Sequence, residues 1–186
     1  MPTVTIIILA IVLVAIVGAA FWYFERRRTE RLRGQFGPEY DHTLHEIGDR
    51  RKAESELERR ERLVHQYKIR ELTPEERDRF AEAWRVDQSR FVDQPVEAVT
   101  EAHALVNQVM KARGYPVSDE FKRNAANLSV DYPRVVEHYR VACDVAGQQK
   151  EGHANTEDLR NAMMHYRALF EELLGARVAH SEEVRR

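Results

Sequence analysis

The chain has very few of the residues that build covalent or metal-based scaffolds. It has a single cysteine, Cys143, among 186 residues, which excludes an internal disulfide and any cysteine-rich metal site. Its 8 glycines and 6 prolines provide few helix breakers. It also lacks phosphate-binding glycine-rich loops and the Gly-x-Ser-x-Gly turn of serine hydrolases. The sequence therefore does not indicate a disulfide-stabilised scaffold. It also does not indicate a nucleotide-binding protein or a hydrolase of the classes that these motifs define.

The chain also lacks a large excess of positive or negative charge. The formal net charge is −2, with 32% charged and 43% hydrophobic residues, a balance too apolar for a disordered chain and too charged for a multispan membrane protein. Residues 71–186 contain 16 Lys and Arg against 21 Asp and Glu. Because phosphate contacts require a positive surface, we expect no nucleic-acid partner.

One long uncharged stretch is present, at residues 3–24. A helix of this length spans about 33 Å, close to the roughly 30 Å hydrocarbon core of a bilayer. The residues before it contain no Lys or Arg, and the apolar run is longer than that of a cleaved signal peptide. The pattern predicts an uncleaved transmembrane helix with the lipid bilayer as its partner.

A basic flank follows this stretch directly. The predicted membrane-interface residues are two aromatic residues and five arginines: Trp22, Tyr23, Arg26, Arg27, Arg28, Arg31 and Arg33. Positive charge concentrates on the cytoplasmic side of membrane spans. We therefore expect the amino terminus outside the cell and residues 25–186 in the cytoplasm. The alternative is an extracytoplasmic, membrane-anchored or secreted helical protein.

Residues 25–41 are predicted to be a basic juxtamembrane segment and linker. Gly34, Gly37 and Pro38 are expected to break the helix below the membrane.

Residues 42–70 are predicted to form one charged stalk helix, starting at a capping-box spacing of Thr43 and Glu46. Opposite charges recur at helical spacing, which is typical of a solvated spacer. Apolar residues such as Leu57 and Val64 are too sparse for sustained heptads. A homodimer through this stalk is the alternative.

Residues 71–176 are predicted to form a small helical bundle, followed by a polar tail at 177–186. Thr73 to Glu76 is a capping box with proline at the first helical position, and Gly114 and Gly175 are expected to end helices. Further starts are expected at Asp93 with Pro95, at Ser118, at Asp131 with Pro133, and at Thr156. These signals predict four longer helices and one short helix, and hence an all-α fold.

Apolar stripes mark the expected core of this bundle. The first helix carries Phe80, Trp84, Phe91 and Val92 on one side, and the last carries Leu159, Met163, Tyr166, Phe170 and Leu173 at alternating spacings of four and three. His103 lies on the apolar stripe of the second helix, where we expect a core histidine bonded to a neighbour.

Several short stretches resemble an uncharacterised family of bacterial single-span membrane proteins, labelled hypothetical or secreted. They are FGPEYD, GDRRKAE, TPEER, FVDQP, RGYP, LSVDYP and TEDLRNAMMHYRALFEELL. The resemblance covers nearly the whole chain. It implies a membrane anchor but no activity, cofactor or site residue.

Candidate metal ligands are few. Glu39 and His42 have the Glu-x-x-His spacing of di-iron bundles, but a second copy of the motif is missing. His42 and His45 could share a metal, but no third ligand is visible. We predict no metal, no cofactor and no catalytic residue, and Cys143 is expected to be a small buried hydrophobe.

The sequence His-Tyr-Arg occurs on two predicted helices. The candidate polar site consists of His138, Tyr139, Arg140, His165, Tyr166 and Arg167. These side chains could together bind an anion. Alternatively, the two tyrosines bridge core and surface in a purely structural role.

Because the sequence shows no set of residues typical of a catalytic site, it favours a non-enzymatic protein-interaction module held at the cytoplasmic face of the membrane. Its protein partner is unidentified. An enzyme that uses the paired His-Tyr-Arg residues is a further hypothesis.

Overall fold

The computed structural model describes the backbone of residues 2–175 and the side chains of residues 9, 12–149 and 151–175. Within this part the chain forms eight α-helices and no strand, which confirms the all-α class. The helices are α1 Pro2–Phe36, α2 Pro38–Ile47, α3 Arg50–Val64, α4 Pro74–Arg90, α5 Pro95–Arg113, α6 Phe121–Asp131, α7 Val136–Lys150 and α8 Thr156–Leu174. The predicted tail, 177–186, lies outside the described residues.

The chain divides into two compact units, Met1–Leu57 and Glu58–Arg186. The division falls inside the segment predicted as a stalk. Among the described residues, no helix combines the length and the apolar character that crossing a bilayer requires.

The first unit begins with α1, which continues past the predicted break at Gly34. A single glycine inside a helix costs only about 1 kcal/mol, so it does not end the helix by itself. The helix ends at Gly37, whose φ of 48° lies in the left-handed region, and Pro38 occupies the first turn of α2.

The prediction of one stalk helix over 42–70 is wrong. The segment contains two helices, because Gly48 ends α2 with a φ of 74°. Asp49 then accepts a hydrogen bond from the Lys52 N–H at 2.9 Å at the start of α3. Thr43 is not a cap: it lies inside α2, buried, and donates to Glu39.

The charged helix α3 is also not solvated on every face. Glu54 is 3% exposed, and its Oε1 accepts hydrogen bonds from Thr29 Oγ1 at 2.6 Å and Tyr40 OH at 2.9 Å. Its other oxygen lies 3.9 Å from Arg28 Nε. Ala53 is fully buried beside it. A carboxylate can be buried in this way because two hydroxyls and a cation replace its water.

The second unit contains the five predicted bundle helices, and several of their ends are confirmed. The capping box of Thr73 and Glu76 starts α4, and left-handed glycines at Gly114 and Gly175 end α5 and α8. The predicted start of α8 at Thr156 is confirmed, and the residue before it is the cap. Asn155, not Thr156, accepts the backbone N–H bonds, and Asp158 completes the box.

Two further predicted starts are wrong. Asp131 is the last residue of α6, where its carboxylate accepts a hydrogen bond from Tyr115, and α7 begins at Val136 after a turn. Ser118 precedes α6 by three residues, and its Oγ accepts a hydrogen bond from the Glu120 N–H. Ser118 therefore belongs to the turn that precedes α6, and Asp131 makes a contact with a distant part of the chain.

The core of the second unit lies where α8 packs against α5 and α7. The predicted stripe of α8 is buried throughout, and Phe170 stacks on Trp84 of α4 with ring centroids 4.7 Å apart. The stripe of α4 is only partly confirmed. Phe80 and Trp84 are buried, but Val92 is 85% exposed because the helix, and with it the helical periodicity, ends at Arg90.

Asp87 on α4 is a buried acid that the sequence pattern did not reveal. It is 3% exposed, and neither of its carboxyl oxygens accepts a hydrogen bond from the described residues. Burial, reinforced by neighbouring Glu101, raises the pKa of Asp87 to about 7, although Arg90 opposes the shift. Glu101 itself pairs with Arg90 at 2.6 Å. A protonated Asp87 can donate to the Glu101 carboxylate, so the fold favours the neutral acid.

This acid makes stability depend on pH. The folded pKa of Asp87 lies above its ordinary value of 3.8, so its contribution is complete below that value and is lost as the pH rises through about 7. We expect Asp87→Asn, which is neutral at every pH, to stabilise the protein at pH 8.5 by roughly 1–3 kcal/mol and to have a much smaller effect at pH 5. Urea unfolding at both values measures this.

The exposed Asp93 provides the matched control, and Asp93→Asn should change stability equally little at both pH values. If the stability difference between Asp87→Asn and the unsubstituted protein were the same at both pH values, the raised pKa of Asp87 would be contradicted.

Candidate functional site

The two His-Tyr-Arg tripeptides lie on helices that pack against each other, α7 and α8. His138 Nδ1 and His165 Nδ1 are 2.8 Å apart, and their ring centroids are separated by 5.0 Å. One ring nitrogen donates and the other accepts, so the pair holds at most one proton in this position. Burial, together with His138, lowers the pKa of His165.

The two tyrosines of the tripeptides are fully buried. Tyr166 OH lies 3.1 Å from His103 Nδ1 and donates to Cys143 Sγ at 3.8 Å. Tyr139 OH accepts a hydrogen bond from Asn124 at 3.3 Å. The tyrosines therefore face the interior of the bundle and not an open pocket.

These contacts form one polar network inside the bundle, because Cys143 hydrogen-bonds to both Tyr139 and Tyr166. Its members come from four helices: His103, Asn107, Asn124, Tyr139, Cys143 and Tyr166. Asn107 Nδ2 lies 2.9 Å from His103 Nε2, so that nitrogen accepts and the ring proton resides on Nδ1, facing Tyr166. The expectation that His103 is bonded to neighbours is confirmed.

The thiol and the two phenols of this network are protonated at neutral pH. Burial raises the pKa of Cys143 to about 11, which opposes formation of the reactive thiolate. Burial also raises the pKa of Tyr139 and of Tyr166 well above the ordinary phenol range. A neutral thiol and two neutral phenols make and accept hydrogen bonds, so the chemistry that this arrangement supports is structural.

The arginines of the tripeptides bond to acidic residues. Arg140 donates to Glu137 at 3.3 Å and Arg167 to Glu171 at 2.7 Å, each on its own helix. The structure thus brings the two histidines together, buries the two tyrosines and places each arginine beside a glutamate of its own helix.

The predicted membrane-interface residues lie along α1. Trp22 and Tyr23 are exposed, and Arg26 and Arg27 place their guanidinium carbons 5.5 Å and 4.9 Å from the centres of these two rings. Arg33 covers the ring of Tyr40 at 5.1 Å. Arg28 lies beside Glu54, and Arg31 is exposed. Cations and aromatic rings thus lie side by side at three of these positions.

An open groove lies between the α4–α5 turn and α8, and the sequence did not predict it. We call it the α4–α8 groove; its volume is about 400 Å³. It is lined by Gln88, Phe91, Val92, Pro95, Thr156, Arg160, Met163, Met164 and Arg167. Met164 is 63% exposed and Val92 is 85% exposed, although both are apolar. The only signal in the sequence was the apolar pair Phe91 and Val92 directly before a helix start.

The described residues contain no cluster of three or more His, Cys, Asp or Glu that could hold a metal ion. Comparison of the chain with protein-family models, curated proteins and solved structures gives no significant match. The resemblance to single-span membrane proteins therefore stays a prediction.

The buried network predicts a specific effect of removing one hydroxyl. Tyr166→Phe keeps the ring and removes the hydroxyl that bonds to His103 and Cys143, so we expect a loss of about 1–2 kcal/mol in the free energy of unfolding with the helical content unchanged. Urea unfolding followed by circular dichroism measures both quantities. Tyr67→Phe, at a tyrosine that is 42% exposed, is the control and should lose less than 0.5 kcal/mol, about the usual limit for surface substitutions. Equal effects of the two substitutions would show that the network does not stabilise the fold.

Proposed function

We propose that this chain is a single-span membrane protein that holds a helical bundle at the cytoplasmic face, where the bundle binds a protein partner through the α4–α8 groove and catalyses no reaction. The exposed apolar residues of the groove, flanked by two arginines, are the observation that supports this proposal most directly.

The support for an anchor begins with the sequence. Residues 3–24 carry no charge, and α1 continues through them as one helix. All side chains from Val12 to Phe24 are exposed. Lipid is the environment that such an apolar surface fits, since exposed apolar area of this length is unfavourable in water. The arginines that follow favour the cytoplasm for the rest of the chain.

The chemistry of the groove indicates the kind of partner. The outer face of α8 presents Arg160, Met164 and Arg167 to the groove, and the buried Met163 lies beneath them. Methionine side chains adapt to irregular apolar surfaces, and arginine binds carboxylates. The matching occupant is an amphipathic helix of another protein with aliphatic residues on one face and Asp or Glu at its edges.

Both arginines are available for such an exchange. Arg160 pairs with Glu157 at 3.2 Å and Arg167 with Glu171 at 2.7 Å, all four within α8. Exposed ion pairs of this kind contribute only about 0–1 kcal/mol. A partner carboxylate in a desolvated groove can therefore replace them at little cost.

Reporter fusions test the placement. With green fluorescent protein or alkaline phosphatase fused after Arg186 in a bacterial host, we expect fluorescence and no phosphatase activity, because the basic flank opposes translocation. As a matched control, replacing the five arginines at 26, 27, 28, 31 and 33 by Gln should reduce the fluorescent fraction. Phosphatase activity with the native flank would instead support the extracytoplasmic alternative.

Crosslinking in cells tests the groove. A photoreactive amino acid at Met164 should capture a segment whose acidic and aliphatic residues recur at helical spacing, whereas the same amino acid at exposed Lys122 should not. Replacing Arg160 and Arg167 by Glu should reduce capture by at least about tenfold, since two attractive pairs become repulsive. Replacing the acidic residues of the captured segment by Lys should restore capture by this variant.

The control for this charge reversal is Arg123→Glu, which removes an arginine that pairs with a local glutamate, Glu120, in the same way at 3.2 Å. Capture of a segment without acids, of a second copy of this chain, or capture unaffected by the two reversals would refute the proposed partner.

A further inference from the structure

A second pocket lies in the unit Glu58–Arg186, where the segment after α3 passes the ends of α5 and α6. Its volume is about 470 Å³, within the range of small-molecule sites. The side chains that matter for binding are His65, Tyr67, Lys68, Arg113, Asp131 and Tyr132. None of them belongs to the α4–α8 groove.

The wall that carries Lys68 is held tightly in place. Gly114 has a φ of 95°, and a Cβ at this position would lie 2.5 Å from the Lys68 carbonyl oxygen. The Arg70 N–H donates to the Arg113 carbonyl oxygen at 2.8 Å across the same junction. Because only glycine permits this close approach, the two backbones can meet here and form one wall of the pocket.

The pocket combines two cations with aromatic rings. Arg113 is anchored by a hydrogen bond from its Nη1 to the Leu173 carbonyl oxygen at 2.6 Å, and its guanidinium carbon lies 5.5 Å from the centre of the Tyr132 ring. Lys68 forms no ion pair with a described residue. Tyr67 is 42% exposed and adds a second ring.

One acceptor complements these donors. Asp131 accepts a hydrogen bond from Tyr115 through Oδ2, which leaves its other oxygen for a donor on a ligand. With Lys68 and Arg113 against Asp131, the charged lining has an excess of one positive charge, and His65 adds to it when protonated.

From this arrangement we infer that the pocket binds a small aromatic oxyanion, that is, a planar ring that carries a phosphate or a carboxylate. The oxyanion lies between Lys68 and Arg113, the ring contacts Tyr67 and Tyr132, and a hydroxyl or amino group donates to Asp131. The inference is independent of the membrane anchor and of the α4–α8 groove.

Titration calorimetry on the full chain in detergent tests it with three probes: adenosine monophosphate, 4-hydroxybenzoate and inorganic phosphate. We expect saturable binding of at least one aromatic probe in the micromolar to millimolar range, and binding of inorganic phosphate at least about tenfold weaker, because phosphate alone lacks the ring contacts. The aromatic probe that binds identifies the phosphate or the carboxylate as the preferred oxyanion.

Lys68→Gln should weaken binding of that probe by about tenfold, the usual effect of losing one charge-assisted hydrogen bond. Lys122→Gln, at an exposed lysine outside the pocket, should leave it unchanged. Chemical-shift changes confined to the residues around Lys68 and Tyr132 should accompany binding. Binding of neither aromatic probe, phosphate binding as tight as that of the aromatic probe, or equal effects of the two lysine substitutions would overturn the inference.

Discussion

The fold of the second unit depends on burying two phenol groups without leaving their hydroxyls unpaired. Tyr139 and Tyr166 are both fully buried, and an unsatisfied polar group in that position would cost about 1–3 kcal/mol. The partners come from other helices: Tyr166 bonds to His103 of α5 and Cys143 of α7, and Tyr139 bonds to Asn124 of α6. Since hydrogen bonds are directional, these contacts specify the rotation and register of the helices more narrowly than apolar packing alone.

This internal role of α8 leaves its other face free for a different task. The buried stripe includes Leu159, Tyr166 and Phe170, whereas the outer face carries Arg160, Met164 and Arg167. The inner face cannot rotate outward without breaking the polar network, so the outer residues are held in a fixed arrangement. A rigid helix face suits recognition, because less conformational entropy is lost when a partner binds.

The local features of the fold could be predicted from sequence, and the features that depend on distant contacts could not. Thr73 with Glu76 and the glycines 114 and 175 act within a few residues, and their helix ends were predicted correctly. Asp131 looks like a helix start, but its carboxylate is used by Tyr115, 16 residues away. The identical tripeptides offered two alternatives, a shared anion site or a structural role of the tyrosines. They did not indicate that the tyrosines bond to His103, because that residue is 63 positions from Tyr166.

The charged region before the bundle shows why counting charges misjudges burial. Glu54 belongs to a run of alternating charges that reads as solvated, yet it is 3% exposed, because Thr29, Tyr40 and Arg28 replace water around it. Two of these partners belong to α1, so part of the basic flank that sets the proposed orientation also folds against its own chain. Arg28 compensates a buried carboxylate, whereas Arg26 and Arg27 lie beside exposed aromatic rings. One arginine-rich stretch thereby serves both the folding of the first unit and the proposed contact with lipid. The residues that surround each arginine determine which of these two roles it has.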